Sequence, residues 1–345
     1  MIIKLSMPGL PHPTDLSQFT GNDDGIFSDC QFHANDGIQE ADAWFVFDNV
    51  VERDNRCLVP PNQVHYISAE TSYGDKRWFQ SWVLEFLRQF SHIHSCHPIN
   101  LPNVTFAAPF LPWMVNANHG SIFSPHQRDV SYFRSEDAPP KNLQMSMFCS
   151  EKAFTPAHHL RLRFAEHVQQ YFGQDVHWFG NGIQALEEKW DGLAPYHRSI
   201  VLENRSDYGI YSEKLLDPFL AHTEPVYWGA PDITSFFPVG DGLQLDIRDF
   251  PGSIAKIKGL LEQPVTAESK DALRRGKDLV VGELHFLERI ASIAKSFASG
   301  TDIRPATEVT LVPENQYAPA PLAQKRSLSD QIYMLGKKTL HFLKN

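Results

Sequence analysis

Cysteine is scarce and scattered in this chain. Cys30, Cys57, Cys96 and Cys149 stand far apart with no CxxC pair, which excludes a zinc ribbon and a redox dithiol and leaves four reduced thiols. Long apolar runs are missing too. No stretch approaches the roughly twenty residues that a bilayer-spanning helix needs, and the opening MIIKLSMPGLPHPTD lacks the apolar segment of a secretory leader. These absences set the expectation of a cytoplasmic protein. Positive charge is also short, with 31 Lys and Arg against 41 Asp and Glu for a formal charge of −10. Nucleic acid is therefore not an expected partner, because phosphate neutralisation requires a cationic surplus. No internal repeat and no low-complexity tract is visible, so the chain is not read as a repeat array.

What is present is the material of a folded enzyme. The 345 residues include 24 Phe, 10 Tyr and 7 Trp, with 42% hydrophobic and 21% charged residues. That length is too great for one ordinary core and suits two lobes. In the first, Trp44 to Val50 and Val64 to Ala69 read as buried strands separated by Pro60-Pro61. Phe79, Trp82, Val83, Phe86 and Phe90 follow at helical spacing and predict an amphipathic helix whose stripe is core. The stretch 117–143 has no sustained period and ends in Pro139-Pro140, which places a lobe boundary at 138/139. Beyond it the pattern alternates. A strand at Met145 to Cys149, a helix from His158 to Phe172, strands at Val176 to Phe179 and Ser199 to Leu202, a helix from Glu213 and a strand at Val226 to Trp228 predict a parallel, Rossmann-like α/β sheet.

Several local patterns suggest chemistry, each with a plainer alternative. Gly180-Asn-Gly182-Ile-Gln-Ala185 follows a strand, and Glu203 ends the next, which imitates a dinucleotide fingerprint and keeps an NAD-type oxidoreductase in play. A Gly-rich turn in a βα unit is the preferred reading, because the segment that follows is short and charged. His92, His94, Cys96 and His97 cluster like metal ligands, but no carboxylate lies close by, and solvated or core histidines are the preferred reading. Asp23-Asp24, between Asn22 and Gly25, reads as a turn.

The densest information runs from Ser199 to Phe250. Leu202-Glu203-Asn204, then Tyr211-Ser212-Glu213-Lys214-Leu215, then Pro225-Val226-Tyr227-Trp228-Gly229-Ala230-Pro231, then Asp249-Phe250 occur in order. A strand ending in Glu203-Asn204, and a helix starting near Ser212, place carboxylate, amide, ammonium and free backbone N–H groups at one sheet edge. That is a suitable setting for a diphosphate. Upstream, His159-Leu-Arg161-Leu-Arg163-Phe164 offers a further cation, with Phe179-Gly180 and Lys189 between, and Val64 to Ser72 ends a first-lobe strand in Glu70-Thr-Ser.

Taken together, these segments resemble the α1,3/4-fucosyltransferase family, well over the second lobe and faintly over the first. The resemblance implies a two-lobed GT-B α/β fold, with an acceptor-binding lobe over 1–138 and a GDP-fucose-binding lobe over 139–324. It implies an inverting transfer of fucose from GDP-fucose to a hydroxyl, O3 of N-acetylglucosamine in an N-acetyllactosamine-type or other glycan. Glu70 would be the catalytic base. Arg161, Glu203, Asn204, Tyr211, Glu213 and Lys214 would bind the donor, Arg161 and Lys214 neutralising the departing GDP. No metal or other cofactor is implied, since cationic side chains take that part. A catalytically inactive glycan-binding protein on the same scaffold is the remaining alternative. The chain departs from the family pattern at Arg205, Pro218 and His222, where Ser, a helix-compatible residue and Gly are usual, and Pro218 is expected to bend its helix.

Residues 325–345 have a character of their own. Leu328, Ile332, Leu335, Thr339 and Phe342 share one helical face, and five Lys or Arg against one Asp give the segment a charge of +4. Such an end can dock on an anionic membrane surface, peripheral on its inner face, as suits an enzyme of lipid-linked glycans such as lipopolysaccharide; it can equally pack on the body of the protein.

Overall fold

The computed structural model describes residues 1–8, 16–69, 80–116, 128–135, 137–153, 155–300 and 304–318. Glu70, Phe79 and the segment 325–345 lie outside the described residues. Among the described residues no helix is long and apolar enough to cross a membrane.

The first lobe comprises β1 (Ile2–Ser6), α1 (Ser17–Thr20), β2 (Ile26–Phe27), β3 (Cys30–Ala34), β4 (Ala43–Phe47), β5 (Arg56–Val59), β6 (Val64–Ile67), α2 (Ser81–Leu87), β7 (His92–Ser95), β8 (Val104–Phe106) and α3 (Val130–Ser135). Its main sheet runs β2-β3-β1-β4-β6-β7-β8, parallel except for the β2–β3 pair. β4 is AWFVF and wholly buried, the continuous apolar run expected of a parallel strand covered on both faces. The second lobe comprises β9 (Leu143–Phe148), α4 (Pro156–Phe172), β10 (Val176–Phe179), β11 (Tyr196–Leu202), α5 (Glu213–Leu220), β12 (Glu224–Trp228), α6 (Phe250–Glu262) and α7 (Ala267–Val281). Its sheet, β10-β9-β11-β12, is entirely parallel. The chain thus forms two lobes, each built on a parallel, Rossmann-like α/β sheet.

The last described elements, α8 (Phe286–Ala298) and β13 (Thr307–Thr310), return to the first lobe. The apolar stripe of α8, Phe286, Leu287, Ile290, Ala291 and Ala294, is buried. Phe286 packs edge-on against Phe19 at 4.6 Å and Phe297 lies 4.0 Å from His92. Arg289 donates to the carbonyls of Ala108 and Pro109 at 2.7 and 2.6 Å, while β13 pairs with β5. A single cut at 138/139 therefore does not separate the packing units: an amphipathic helix this apolar needs a partner face, and it finds one on the other lobe. One hydrophobic core also runs through both lobes, from Leu5 and Trp113 to Leu215 and Phe219.

The histidine cluster belongs to this packing. His92 and His94 lie in β7 rather than in a loop. His65 Nδ1 is 3.2 Å from His94 Nε2, and the His65 ring stacks on Phe45 at 4.4 Å. Among the described residues no group of three or more candidate ligands could hold a metal. Burial, helped by neighbouring His92 and Arg289, pushes His94 down to about 4. Burial likewise pushes His222 down to about 4 and His285 to about 3. Between about pH 6.5 and pH 4 the unfolded chain therefore binds protons that the native chain refuses, so stability is lost as pH falls through that window. For His94 alone the loss is about 3 kcal/mol. The melting temperature is expected to drop steeply from pH 6.5 to 4, and His94→Gln should flatten that slope; an unchanged slope would show that other groups govern the acid limb.

Candidate functional site

Numbered by chain order within the second sheet, the strand sequence is 2-1-3-4, so chain direction switches between β9 and β11. In open α/β sheets ligands bind outside the carboxyl ends of the strands at such a switch. Here that crevice is edged by Cys149 after β9, Glu203 and Asn204 after β11, α4 on one side and the start of α5 on the other.

α4 begins with a strong signal. Thr155 caps it by accepting from His158 N, and Pro156 takes the first position, where a missing N–H costs nothing. Its inner face carries Arg161, only 4% exposed. Arg161 Nη1 donates to Asn204 Oδ1 and, at 3.5 Å, to the Leu202 carbonyl, and the guanidinium also reaches the Cys149 thiol. Neutral acceptors position this charge without cancelling it.

α5 is built around Ser212. Its backbone N and its Oγ donate to the two oxygens of Glu203, at 2.8 and 2.6 Å, and its Oγ accepts from Lys214 N. Glu203 is 2% exposed, and burial pushes its carboxyl up, against the pull of Lys214. Its oxygens fasten the end of β11 to the start of α5, so Glu203 positions the site from beneath. Lys214 Nζ donates to Glu213 Oε1 at 2.9 Å and to Ser212 Oγ at 3.3 Å. Burial opposes both charges, yet Lys214 and Lys189 hold Glu213 down at about 2, and Glu213 with Glu203 holds Lys214 up. Lys214 thus stays an ammonium at the start of the helix, and the Arg161 charge is near enough to act on it.

Tyr211 is buried in apolar packing at the start of α5. Its ring is 3% exposed and packs on Phe237 at 5.0 Å and Phe236 at 5.9 Å. Asn204, Arg161, Glu213 and Lys214 are brought together as their order in the sequence implied.

The structure adds contacts that the sequence patterns did not imply. Lys189 donates to the fully buried Asp217 Oδ2 at 2.6 Å, and Met114 N donates to Oδ1 at 2.8 Å, tying α5 to both lobes. Breaking such a pair from one side leaves an uncompensated buried charge, so Lys189→Met is expected to lower stability by about 3 kcal/mol. Asp217→Asn added to it should restore much of the loss in a denaturant titration; equal loss in the double variant would remove the pair from the account. Arg205, unusual for the pattern, is 6% exposed and reaches His97 Nδ1 of the first lobe at 3.4 Å and Asp207 at 3.1 Å. Pro218 does not end α5, which continues to Leu220. His222 then takes a left-handed φ of 50°, and Lys141 supports the turn by donating to Ala221 O and Thr223 Oγ1 at 2.6 and 2.9 Å.

The glycine pattern at 180–185 opens no helix. Gly180 N donates to the Gln184 carbonyl and Ile183 N to that of Gly180, a closed turn after β10. A Cβ at Gly180 would meet the Cys149 carbonyl at 2.6 Å and one at Gly182 the Glu151 side chain at 2.2 Å, so the glycines serve close packing and offer no helix N-terminus to a dinucleotide. A cavity of about 730 Å³, lined by Arg198, Glu224 and residues of α6 and α7, lies at the amino ends of β11 and β12, away from the cation cluster.

No family model matches the chain. The α-(1,3)-fucosyltransferase FucT of Helicobacter pylori is 32% identical over 76 residues, 22% of this chain. The chain resembles the α1,3-fucosyltransferases. The match spans only 16% of the length of that curated relative. Among solved structures, an α1,3-fucosyltransferase with GDP superimposes with a TM-score of 0.49 at 15% identity, covering 88% of this chain and 92% of the other. Another with GDP-fucose gives a TM-score of 0.47 at 14% identity over 88% and 91%.

Proposed function

We propose that the protein transfers fucose from GDP-fucose to a hydroxyl of an acceptor glycan, with inversion at the anomeric carbon. The observation that carries the reading is the meeting of two cations at the β9/β11 switch, Arg161 on the inner face of α4 and Lys214 in the first turn of α5, close enough for one charge to act on the other. Phosphoryl oxygens suit that arrangement: a planar guanidinium takes two of them, an ammonium a third, and the helix end adds partial positive charge. Asn204 holds Arg161 in place, and Glu213 offers a carboxylate to fucose or ribose hydroxyls. Leaving-group charge is assigned to these side chains rather than to an ion. Glu70 is the proposed base, taking the acceptor proton as the anomeric bond forms. O3 of N-acetylglucosamine in an N-acetyllactosamine-type chain is the proposed acceptor position, and a cytoplasmic site with peripheral membrane contact through 325–345 completes the reading.

The test is incubation with GDP-fucose and a glycan panel, read by mass spectrometry, beside thermal shift with GDP and with NAD. Addition of a fucose to at least one glycan and a stabilising shift with GDP alone are expected. A shift with NAD and none with GDP would overturn the donor assignment. Binding of GDP and glycan without transfer would leave an inactive scaffold.

A further inference from the structure

Large apolar side chains exposed by more than about a third are few among the described residues, and four of them are aromatic: Phe106, Tyr171, Tyr208 and Phe236. Two of the four, Phe106 and Phe236, approach each other at Gly209, and a third, Tyr208, precedes that glycine in the chain. Phe106 ends β8 at the carboxyl edge of the first sheet and is 63% exposed; Tyr208, in the connection from β11 to α5, is 72% exposed; Phe236, in the turn after β12, is 37% exposed. Gly209 lies beside Phe106 and Phe236. It adopts a left-handed φ of 68°, its N–H donates to Asp232 Oδ1 at 2.9 Å, and a Cβ there would stand 3.3 Å from the Phe106 ring and 4.0 Å from Phe236.

An exposed aromatic group in water is a standing cost unless something covers it, and a cluster drawn from both lobes is not a stray surface residue. The same connection carries Asn204 before the cluster and Ser212, Glu213 and Lys214 after it. A ligand on these rings therefore touches the same connection that leads into Lys214. The occupant must present an apolar face to aromatic rings and polar edges to carboxylates such as Asp232 and Asp207, the latter half-exposed. A pyranose ring does both: its axial C–H groups form one apolar face, and its hydroxyls ring the edge. A peptide or lipid would not need the carboxylates.

We propose that Phe106, Tyr208 and Phe236 form a stacking platform for a sugar ring of the acceptor, closed by residues of both lobes. The platform rests on the transferase reading above and adds the subsite that reading leaves open. Its first-lobe member, Phe106, favours the acceptor over the guanine of the donor, whose cations all belong to the second lobe.

The experiment uses the full chain with Phe106→Ala, Tyr208→Ala and their double variant, surface positions whose removal leaves the core intact. The probes are N-acetyllactosamine and the methyl glycosides of galactose and N-acetylglucosamine, followed by saturation-transfer NMR, with GDP binding measured by calorimetry on the same samples. The double variant is expected to weaken saccharide binding by about tenfold or more while leaving GDP affinity within about twofold, and Tyr208→Trp should restore binding. Saccharide binding unchanged in the double variant, or no saccharide signal from the parent, would overturn the platform. A fall in GDP affinity with the rings would overturn it in favour of base stacking. A parent that binds no GDP indicts the transferase reading instead, so the two failures are distinguishable.

Discussion

Replacing Lys214 or Arg161 with alanine is expected to lower fucosyl transfer by roughly two to three orders of magnitude, the usual effect of removing one preorganised charge from a developing anion. GDP affinity should fall as well, by roughly tenfold, because the diphosphate is charged in the ground state too. The reason lies in the medium. A unit charge pair 4 Å apart gains about 1 kcal/mol in water and about 4 kcal/mol in a partly closed protein site. A water molecule entering the vacated place recovers little of that difference. Arg161 is 4% exposed and its partners are neutral or absent from its own helix, so its charge remains available. Lys214 is balanced by Glu213, and Lys214→Ala leaves that carboxylate with Lys189 as its remaining cation, which makes it the more damaging of the two. Arg161→Lys separates charge from geometry: it keeps the cation but loses the fork that spans Asn204 and a phosphate, so it should recover GDP binding more than turnover. Calorimetric GDP titration beside a transfer assay reads both. Parent-rate transfer by both alanine variants would mean that the donor diphosphate lies somewhere other than the β9/β11 switch.

Most of the second lobe could be read from the sequence because its signals are local. Each strand there is a short apolar run, and each helix announces itself with a cap: Thr155 before Pro156, Ser212 before Glu213, Asp249 before Phe250. α4 begins two residues before the helix expected from His158, and β10 falls where its apolar run places it. The convergence of Arg161, Asn204, Glu213 and Lys214 followed from the linked motifs. What local pattern cannot carry is partner choice over long separations. The pairing of β13 with β5 spans some 250 residues, and the Lys189–Asp217 and Arg205–His97 contacts join side chains that have no periodic relation. Tyr211 shows the same limit from the other side. A tyrosine beside a helix cap satisfies a binding motif and a core position equally well, and only the arrival of Phe236 and Phe237 decides for the core. For His92 and His94 the sequence favours solvated or core places over a metal site, but composition cannot tell that α8 brings Phe297 onto His92.

The second large effect concerns the base. Glu70→Gln keeps the shape of the side chain and deletes its basicity, and it is expected to cost roughly two to four orders of magnitude in transfer while GDP-fucose binding stays near the parent value. A sugar hydroxyl is a poor acid until its oxygen begins to bond the anomeric carbon, so the carboxylate matters in the transition state and little in the ground state. Glu70 itself lies outside the described residues, but the chain reaches it from the carboxyl end of β6, where Ala69 N donates to Asp48 Oδ1 at 3.0 Å. If Glu70 only caps a turn, the glutamine variant should lose some stability and little activity, and thermal melting beside single-turnover transfer with calorimetric donor binding separates these results. A folded, donor-binding variant that still transfers at near-parent rate would move the base elsewhere. Of the other first-lobe carboxylates, Glu85 is more than half exposed on α2 and paired with Arg88 at 2.8 Å, whereas Asp48 stands at the carboxyl end of β4 beside the strand that leads to Glu70. Asp48→Asn is then the variant to make next, with a fall of the same size expected if that carboxylate takes the proton.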